Sequence, residues 1–344
     1  MKKNIFNSLL LLSLLSFLLL TAFSCKDDVV IPPEQQPGRR DYTWTVDTLK
    51  PAEGRSLPSR MWGADANDVW AVGLSYLNAY CIWHFDGINW SNYSTDKYID
   101  PRGIWGTSSN NIWIGSTDGA FWHYDGFQWT KFQETTIPNF RQFVVQSMSG
   151  KNASDIYAVG YADSIDGNTY KGIIMHFNGS KWELVNVPTI KQSFNQILYD
   201  EIADKFVIGS WIFNKPDEFV YSYKANNLNK IFTTQDGVSV NKIGNNIYIA
   251  VKNVIYKLNN DTFEKFIDFT STNYAGSAFG RTEKDFFTIN WDGIGHYNGF
   301  DLQTIYKKWN NDWFPDGIIV FERDAFVIWD DSYNTFIVHG KLSN

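Results

Sequence analysis

Five histidines are the side chains in this sequence best suited to move a proton near neutral pH. Four of them stand in one recurring phrase: His84-Phe85-Asp86-Gly87, His123-Tyr124-Asp125-Gly126, His176-Phe177-Asn178-Gly179 and His296-Tyr297-Asn298-Gly299. A histidine close to a carboxylate is a candidate acid–base pair. The repetition argues against that use, because a catalytic imidazole is needed once and not once per repeat. Asn178 and Asn298 argue against it too. Asparagine replaces aspartate in a turn, since both bond the backbone there, but it cannot replace a catalytic base. The phrase therefore reads as an imidazole bonding to a neighbouring turn, with His339 in "FIVHG" as a fifth copy.

The remaining chemistry is sparse. The run Asp163-Ser164-Ile165-Asp166-Gly167-Asn168 looks like a calcium loop but lacks the closing Glu, so it reads as a solvated turn. There is no Cys/His cluster for zinc, no phosphate loop and no dinucleotide fingerprint. No metal and no cofactor is expected, and no catalytic residue is assigned. Cys81 stands in "AYCIWHF" and reads as a buried, inert thiol.

The elements that position these residues follow from the stretch Asn111 to Phe132, NIWIGSTDGAFWHYDGFQWTKF. It reads as three short extended runs separated by turn chemistry, and "RGIWGTSSN" (Arg102 to Asn110) adds a strand and a turn before them. Gly63, Gly106, Gly150 and Gly280 each lie five residues before Asp68, Asn111, Asp155 and Asp285, where a strand begins. Trp90, Trp129 and Trp182 close the hairpin after the histidine phrase, with Leu302 in the last copy. Weaker copies lie at Lys205 to Gly209 and Val254 to Phe266, and a seventh runs from Gly317 to Leu342 without a fourth strand. Four strands at a period of about 43 residues are the signature of a β-propeller blade. The segment Tyr42 to Leu49, YTWTVDTL, supplies the missing strand, Trp44-Thr45 matching Trp129-Thr130. Such a join removes the open edges. The expectation is an all-β chain: one β-propeller over residues 42–344, of seven four-stranded blades, with six if the weak copies share a blade.

Trp 15, Tyr 18 and Phe 26 suit the wedge-shaped gaps between radial sheets, and a net charge of −7 argues against nucleic acid. At the N-terminus, Lys2 and Lys3 precede an apolar run from Ile5 to Phe23, a bacterial secretory signal over residues 1–24. Ala22-Phe23-Ser24-Cys25 resembles a lipoprotein processing box, departing from it in having Ala three places before the Cys. Cys25 is then the acylated residue, and residues 25–41 are a flexible tether carrying Pro32, Pro33 and Pro37. The alternative is an uncleaved signal anchor. Lys26-Asp27-Asp28 resembles the acidic export signal of Bacteroidota lipoproteins. It implies an outer-membrane, lipid-anchored protein facing the cell exterior, with a periplasm-facing one as the alternative.

"NIWIGSTDGAFWHYDG" is similar to the repeats of two-component-regulator propellers of Bacteroidota. "DVWAVG" and "HFDGINW" resemble repeats of secreted bacterial propellers. The resemblance implies the fold and an extracytoplasmic setting, and fold does not fix function. Sialidases share the propeller fold, and their chemistry needs an arginine triad with a Tyr and an acid. Arg60, Arg102 and Arg141 stand near starts of inner strands.

The turns that repeat closely join strands one and two and strands three and four, so they share one face of the disc. The other connections vary and lie on the opposite face: Tyr93 to Pro101, Gln133 to Arg141, Tyr161 to Lys171, Trp211 to Glu218 and Lys307 to Asp316. Loops on a rigid scaffold carry binding residues. Tyr98, Arg102, Phe140, Arg141, Tyr161, Trp211, Tyr274, Trp309 and Trp313 are the candidates, their rings stacking on sugars or anchoring a protein. The leading expectation is a lipid-anchored binding module for a glycan or an envelope protein. The alternatives are an extracellular carbohydrate-active enzyme using the same face, and an assembly role within an envelope complex.

Overall fold

Strands form where the sequence alternates and stop where Gly, Asn and Asp cluster. The computed structural model describes residues 36–75, 81–93, 99–165, 170–307, 314–331 and 333–344, with side chains from residue 317 onward in the strand that begins at Phe314. Residues 1–35, with the expected signal and Cys25, lie outside the described residues, as do Tyr98, Trp309 and Trp313. Among the described residues every regular element is a β-strand.

The first strand, β1 (Tyr42–Leu49), belongs to the last blade. Blade 1 is β2 (Ser56–Asp65), β3 (Asp68–Ser75), β4 (Ile82–Phe85) and β5 (Trp90–Asn92). Blade 2 is β6 (Pro101–Ser108), β7 (Asn111–Ser116), β8 (Ala120–Tyr124) and β9 (Trp129–Glu134). Blade 3 is β10 (Phe140–Asn152), β11 (Asp155–Ser164), β12 (Tyr170–Phe177) and β13 (Trp182–Leu184). Blade 4 is β14 (Ser193–Asp200), β15 (Lys205–Trp211), β16 (Glu218–Lys224) and β17 (Asn227–Thr234). Blade 5 is β18 (Ser239–Ile243), β19 (Asn246–Val251), β20 (Val254–Asn259) and β21 (Thr262–Asp268). Blade 6 is β22 (Tyr274–Thr282), β23 (Asp285–Asn290), β24 (Gly293–Tyr297) and β25 (Leu302–Lys307). Blade 7 is β26 (Phe314–Val320), β27 (Asp324–Asp330) and β28 (Thr335–Leu342), completed by β1.

The fold is a seven-bladed β-propeller. The weak copies form separate blades, 4 and 5. Blades 5 and 6 share one parallel bridge between inner strands, Ile243 to Gly280, and are otherwise distinct meanders. The expected closure is present in the expected register. Trp44 pairs with Gly340, Thr45 with His339 and Val46 with Val338, just as Thr130 pairs with His123 in blade 2.

The repeated glycines now have a reason. A Cβ on Gly106 would stand 2.8 Å from the Trp62 ring of blade 1, and one on Gly150 would stand 2.7 Å from the Trp105 ring of blade 2. Phe321 of blade 7 lies over Gly63 in the same way, and the Trp44 ring lies over Gly340. In blades 1 to 3 the inner strand thus gives up a side chain so that the preceding blade can seat a ring, and Gly340 does so for the ring of its own blade's closing strand. Farther out, where the gaps widen, larger groups meet. Trp129 contacts Trp70 at 5.7 Å and Trp182 stacks on Phe121 at 4.0 Å, both across a blade boundary.

The two sets of repeated turns do share a face, because they touch. A Cβ on Gly87 would stand 2.9 Å from Asn67, on Gly126 2.8 Å from Asn110, and on Gly179 2.9 Å from Ser154. These glycines also have φ between 90° and 96°, which side chains with a Cβ adopt at a cost. The preceding Asp or Asn oxygen accepts two backbone N–H bonds, as Asp86 does from Ile88 and Asn89 and Asn178 does from Ser180 and Lys181. That is why the two residue types interchange there.

One boundary differs from the sequence reading. The compact body begins at Pro37, not Tyr42. The Gly38 N–H donates to the Lys284 carbonyl at 2.8 Å and Arg40 bonds Asp301 at 2.9 Å, so residues assigned to the tether are strapped onto the repeated-turn face of blade 6.

Deleting Tyr42–Leu49 leaves β28 as an unpaired edge. The expected outcome is a melting midpoint lower by roughly 10 °C or more, or loss of a single cooperative transition. Gly106→Val is expected to cost about 1–3 kcal/mol in urea unfolding, through the Trp62 ring. A deletion variant that melts with the parent would contradict closure as the source of stability.

Candidate functional site

Each histidine is held inside its own blade. Nε2 of His84, His176, His296 and His339 donates to Oδ1 of Asp68, Asp155, Asp285 and Asp324 at 2.7–2.8 Å, and His123 bonds Asn111 at 2.8 Å. Each ring also packs on its cross-strand aromatic neighbour: Trp70, Tyr157, Phe287, Phe326 and Trp113. The imidazoles are therefore latches between strands two and three. The partner is the residue that opens strand two, rather than the Asp or Asn of the following turn. Burial pushes the His296 pKa down, against the pull of Asp285, and its Nδ1 is buried with no hydrogen-bond partner. A second proton would have nowhere to go.

The open chemistry lies on the other face. A cleft of about 550 Å³ opens between blades 3 and 4. Tyr161 from the end of β11 and Tyr170 from the start of β12 form one wall. Trp211 from the end of β15, with Phe213 and Lys215 beyond it, forms the other. The rings make a continuous ribbon. Tyr161 meets Tyr170 edge-on at 5.5 Å, Tyr170 meets Phe213 at 5.3 Å, and Phe213 meets Trp211 at 5.7 Å. Phe213 is half-exposed, at 50%. The floor is polar. Gln192 accepts hydrogen bonds from Ser210 Oγ (2.8 Å) and Tyr221 OH (2.9 Å), while the buried Ser193 hydroxyl has no partner.

The cleft brings together two of the expected residues, Tyr161 and Trp211. Burial, aided by Tyr170, pushes the Tyr161 phenol pKa up, against the smaller opposing pull of the Arg102 and Arg141 charges. Arg141 itself is ion-paired with Asp163, which is the fate of the first carboxylate of the calcium-like run. Asp166, Gly167 and Asn168 lie outside the described residues. Arg60 bonds the Ser59 carbonyl at 2.9 Å. Phe140 is half-buried against the core of blades 2 and 3.

Tyr274 is a correction. It is fully buried, packed on Phe269 at 5.2 Å, and not presented to a ligand. The reason is a β-bulge that recurs near the start of inner strands. The bulge lies between Pro58 and Arg60, Pro101 and Gly103, Val145 and Ser147, Phe194 and Gln196, and Tyr274 and Gly276. The residue before it is buried in each case. The extra residue (Ser59, Arg102, Gln146, Asn195 or Ala275) is part-exposed. A bulge re-aims a side chain, so these positions offer variable chemistry at one height of the scaffold. Tyr274 precedes its bulge, whereas Arg102 occupies one.

Sequence reasoning missed Tyr170, Phe213 and Lys215, although the variable connections it named contain them. It missed Gln146 because the bulge leaves the Gly150-to-Asp155 spacing unchanged, and Gln192 and Ser193 because nothing about them repeats. Cys81 is buried as expected, and burial pushes its thiol up to about 12. Among the described residues no group of three His, Cys, Asp or Glu side chains is placed to hold a metal.

No protein-family model matches the sequence, and no curated protein matches it. Solved structures do match in fold. One is YCF48 bound to a D1 peptide, with TM-score 0.63 and 13% identity over 92% of this chain and 100% of that one. Another is an inactive virginiamycin B lyase from Staphylococcus aureus with quinupristin, with TM-score 0.62 and 14% identity over 88% and 100% of the two chains. A third is the extracellular domain of a one-component system from B. thetaiotaomicron, with TM-score 0.53 and 13% identity, covering 88% of this chain and 40% of that one. At these identities the likeness carries the fold.

His296 gives a pH test of the latch. Its folded pKa lies below the unfolded value of about 6.5. The unfolded chain therefore binds the extra proton first, and stability falls as pH drops below about 6.5 until the folded pKa is passed. Asp285 acts lower. Burial raises it, but His296 and Arg281 hold it below the usual range, and its contribution disappears as pH falls through its folded pKa. His296→Gln keeps a donor for Asp285 and is expected to flatten the loss of urea midpoint between pH 7.5 and 5.5. An unchanged slope would contradict this reading.

Proposed function

We propose that this chain is a lipid-anchored cell-envelope binding module that takes a glycan or a protein on its variable face. The observation that carries the proposal is the aromatic ribbon of the cleft between blades 3 and 4, built on connections that differ from blade to blade. Clefts of this size lined by rings and a few convergent polar groups are the usual form of a binding site. Propellers of similar fold bound to a peptide and to quinupristin support ligand binding as a use of this scaffold.

The strap at Pro37–Arg40 lies along the repeated-turn face of blade 6. The chain enters the propeller at the repeated-turn face, where Gly38 bonds Lys284 of one turn and Asn298 of another. Acylation at Cys25 would supply the anchor, and the acidic tripeptide after it would send the protein to the outer surface.

Two measurements test this. Metabolic labelling with a fatty acid is expected to mark the parent and not Cys25→Ala; label retained in the variant would remove the anchor. An epitope inserted beside Asn214, in the β15–β16 connection, is expected to be reached by antibody on intact cells. Access only after the outer membrane is opened would favour the periplasm-facing alternative.

A further inference from the structure

We infer that the cleft between blades 3 and 4 recognises an anionic oligosaccharide, one whose sugar units carry a carboxylate or a sulfate. This deepens the proposed function and rests on the cleft being the binding site.

The charge at the cleft has the opposite sign to the chain as a whole. The net charge is −7, yet among the described residues no carboxylate lines the cleft, and Lys191 and Lys215 both do. Neither lysine has an ion-pair partner among the described residues. Nine other lysines among the described residues are ion-paired, as Lys151 is with Asp204 at 2.6 Å and Lys242 with Glu201 at 2.8 Å. An anion entering the cleft therefore meets two ammonium groups that no described carboxylate neutralises.

The polar floor suits hydroxyl groups. Sugar hydroxyls both donate and accept, so they need partners that do both. Gln146 is turned out by its bulge, and Gln192 is held by Ser210 and Tyr221 through its oxygen alone. Ser193 adds a hydroxyl on a residue 4% exposed, with no partner in the protein. A buried polar group left unpaired is destabilising, and a ligand hydroxyl would satisfy it. The rings then serve as a stacking surface for the apolar faces of successive sugars.

The test is isothermal titration of the full chain, detergent-solubilised, with size-defined uronic-acid oligosaccharides, sulfated chondroitin oligosaccharides, and neutral cello- and malto-oligosaccharides. One of the two acidic sets is expected to bind at least tenfold more tightly than the neutral ones, and which set does so identifies the acid group. The double variant Lys191→Ala, Lys215→Ala is expected to lose about tenfold and most of the salt dependence. Ser193→Ala is expected to weaken binding severalfold at unchanged salt dependence. Trp211→Ala and the surface variant Phe213→Ser are both expected to abolish binding. Equal binding of neutral sugars, unaffected by the lysine variants, would overturn the anionic inference and leave the cleft as the site. Binding that survives both ring variants would overturn the site itself. Binding of peptides alone, lost in the ring variants, would overturn the sugar class.

Discussion

The strand pairing between the two ends of the chain, β1 on β28, is the constraint on which the rest of the molecule depends. Radial sheets cannot be stable as an open stack, because the first and last present bare faces and a bare edge. Here the last blade is built from both termini, and the join is reinforced at each level. The Trp44 ring sits over Gly340, where a Cβ would stand 2.5 Å away. Tyr42 packs edge-on against Phe287 of blade 6 at 5.4 Å, and its hydroxyl accepts a hydrogen bond from Arg281 at 3.0 Å. Ser343 returns to the Asp41 carbonyl at 3.1 Å. To open the ring, all of these must be broken together. A closed ring in turn fixes the spacing between neighbouring blades, and the cleft is such a spacing.

The two faces of the disc divide the labour chemically. On one face, residues repeat because geometry repeats: a glycine that admits a ring, an Asp or Asn that gathers two N–H groups, a histidine that ties strand three to strand two. These groups are already satisfied by one another, so they have little left to offer a ligand. On the other face, connections differ in length and content, and polar groups remain unspent. Ser193 and the two lysines of the cleft belong to that second class. Repetition is thus a usable negative criterion: a titratable side chain that recurs at the same place in several blades is structural.

That criterion explains what could be read from the sequence and what could not. The blade period was legible because Gly63, Gly106 and Gly150 answer to the same packing demand, and the closing strand because Trp44-Thr45 must fill the same seat as Trp129-Thr130. The face that carries the cleft was legible for a topological reason, since alternate turns of a meander fall on opposite sides. The site itself was legible only in part. Tyr161 and Trp211 stood at the ends of strands bordering variable connections. Tyr274 stood in a similar place in the sequence, but its position before a bulge turns it inward. Gln146 gained its position from the same irregularity. A bulge adds a residue without changing the distance to the next turn, so it leaves no trace in spacing.

The weak repeats can be read the same way. Blades 4 and 5 are those in which the histidine is missing, and their latches have changed partner instead of vanishing. In blade 4, Lys205 opens strand two in place of Asp, and its ammonium pairs with Asp261 of blade 5 at 2.8 Å. In blade 5, Lys257 replaces the histidine and pairs with Glu283 of blade 6 at 2.6 Å, where Tyr248 also donates its hydroxyl. A bond within one blade has become a bond between blades. For Lys205, whose side chain is only 9% exposed, the partner is obligatory, since an unpaired ammonium at that depth would cost far more than the pair contributes. The loss of sequence signal from 193 to 268 therefore marks a different way of holding blades together. It begins at the wall of the cleft, where blade 4 carries both its altered latch and the Trp211 side of the cleft.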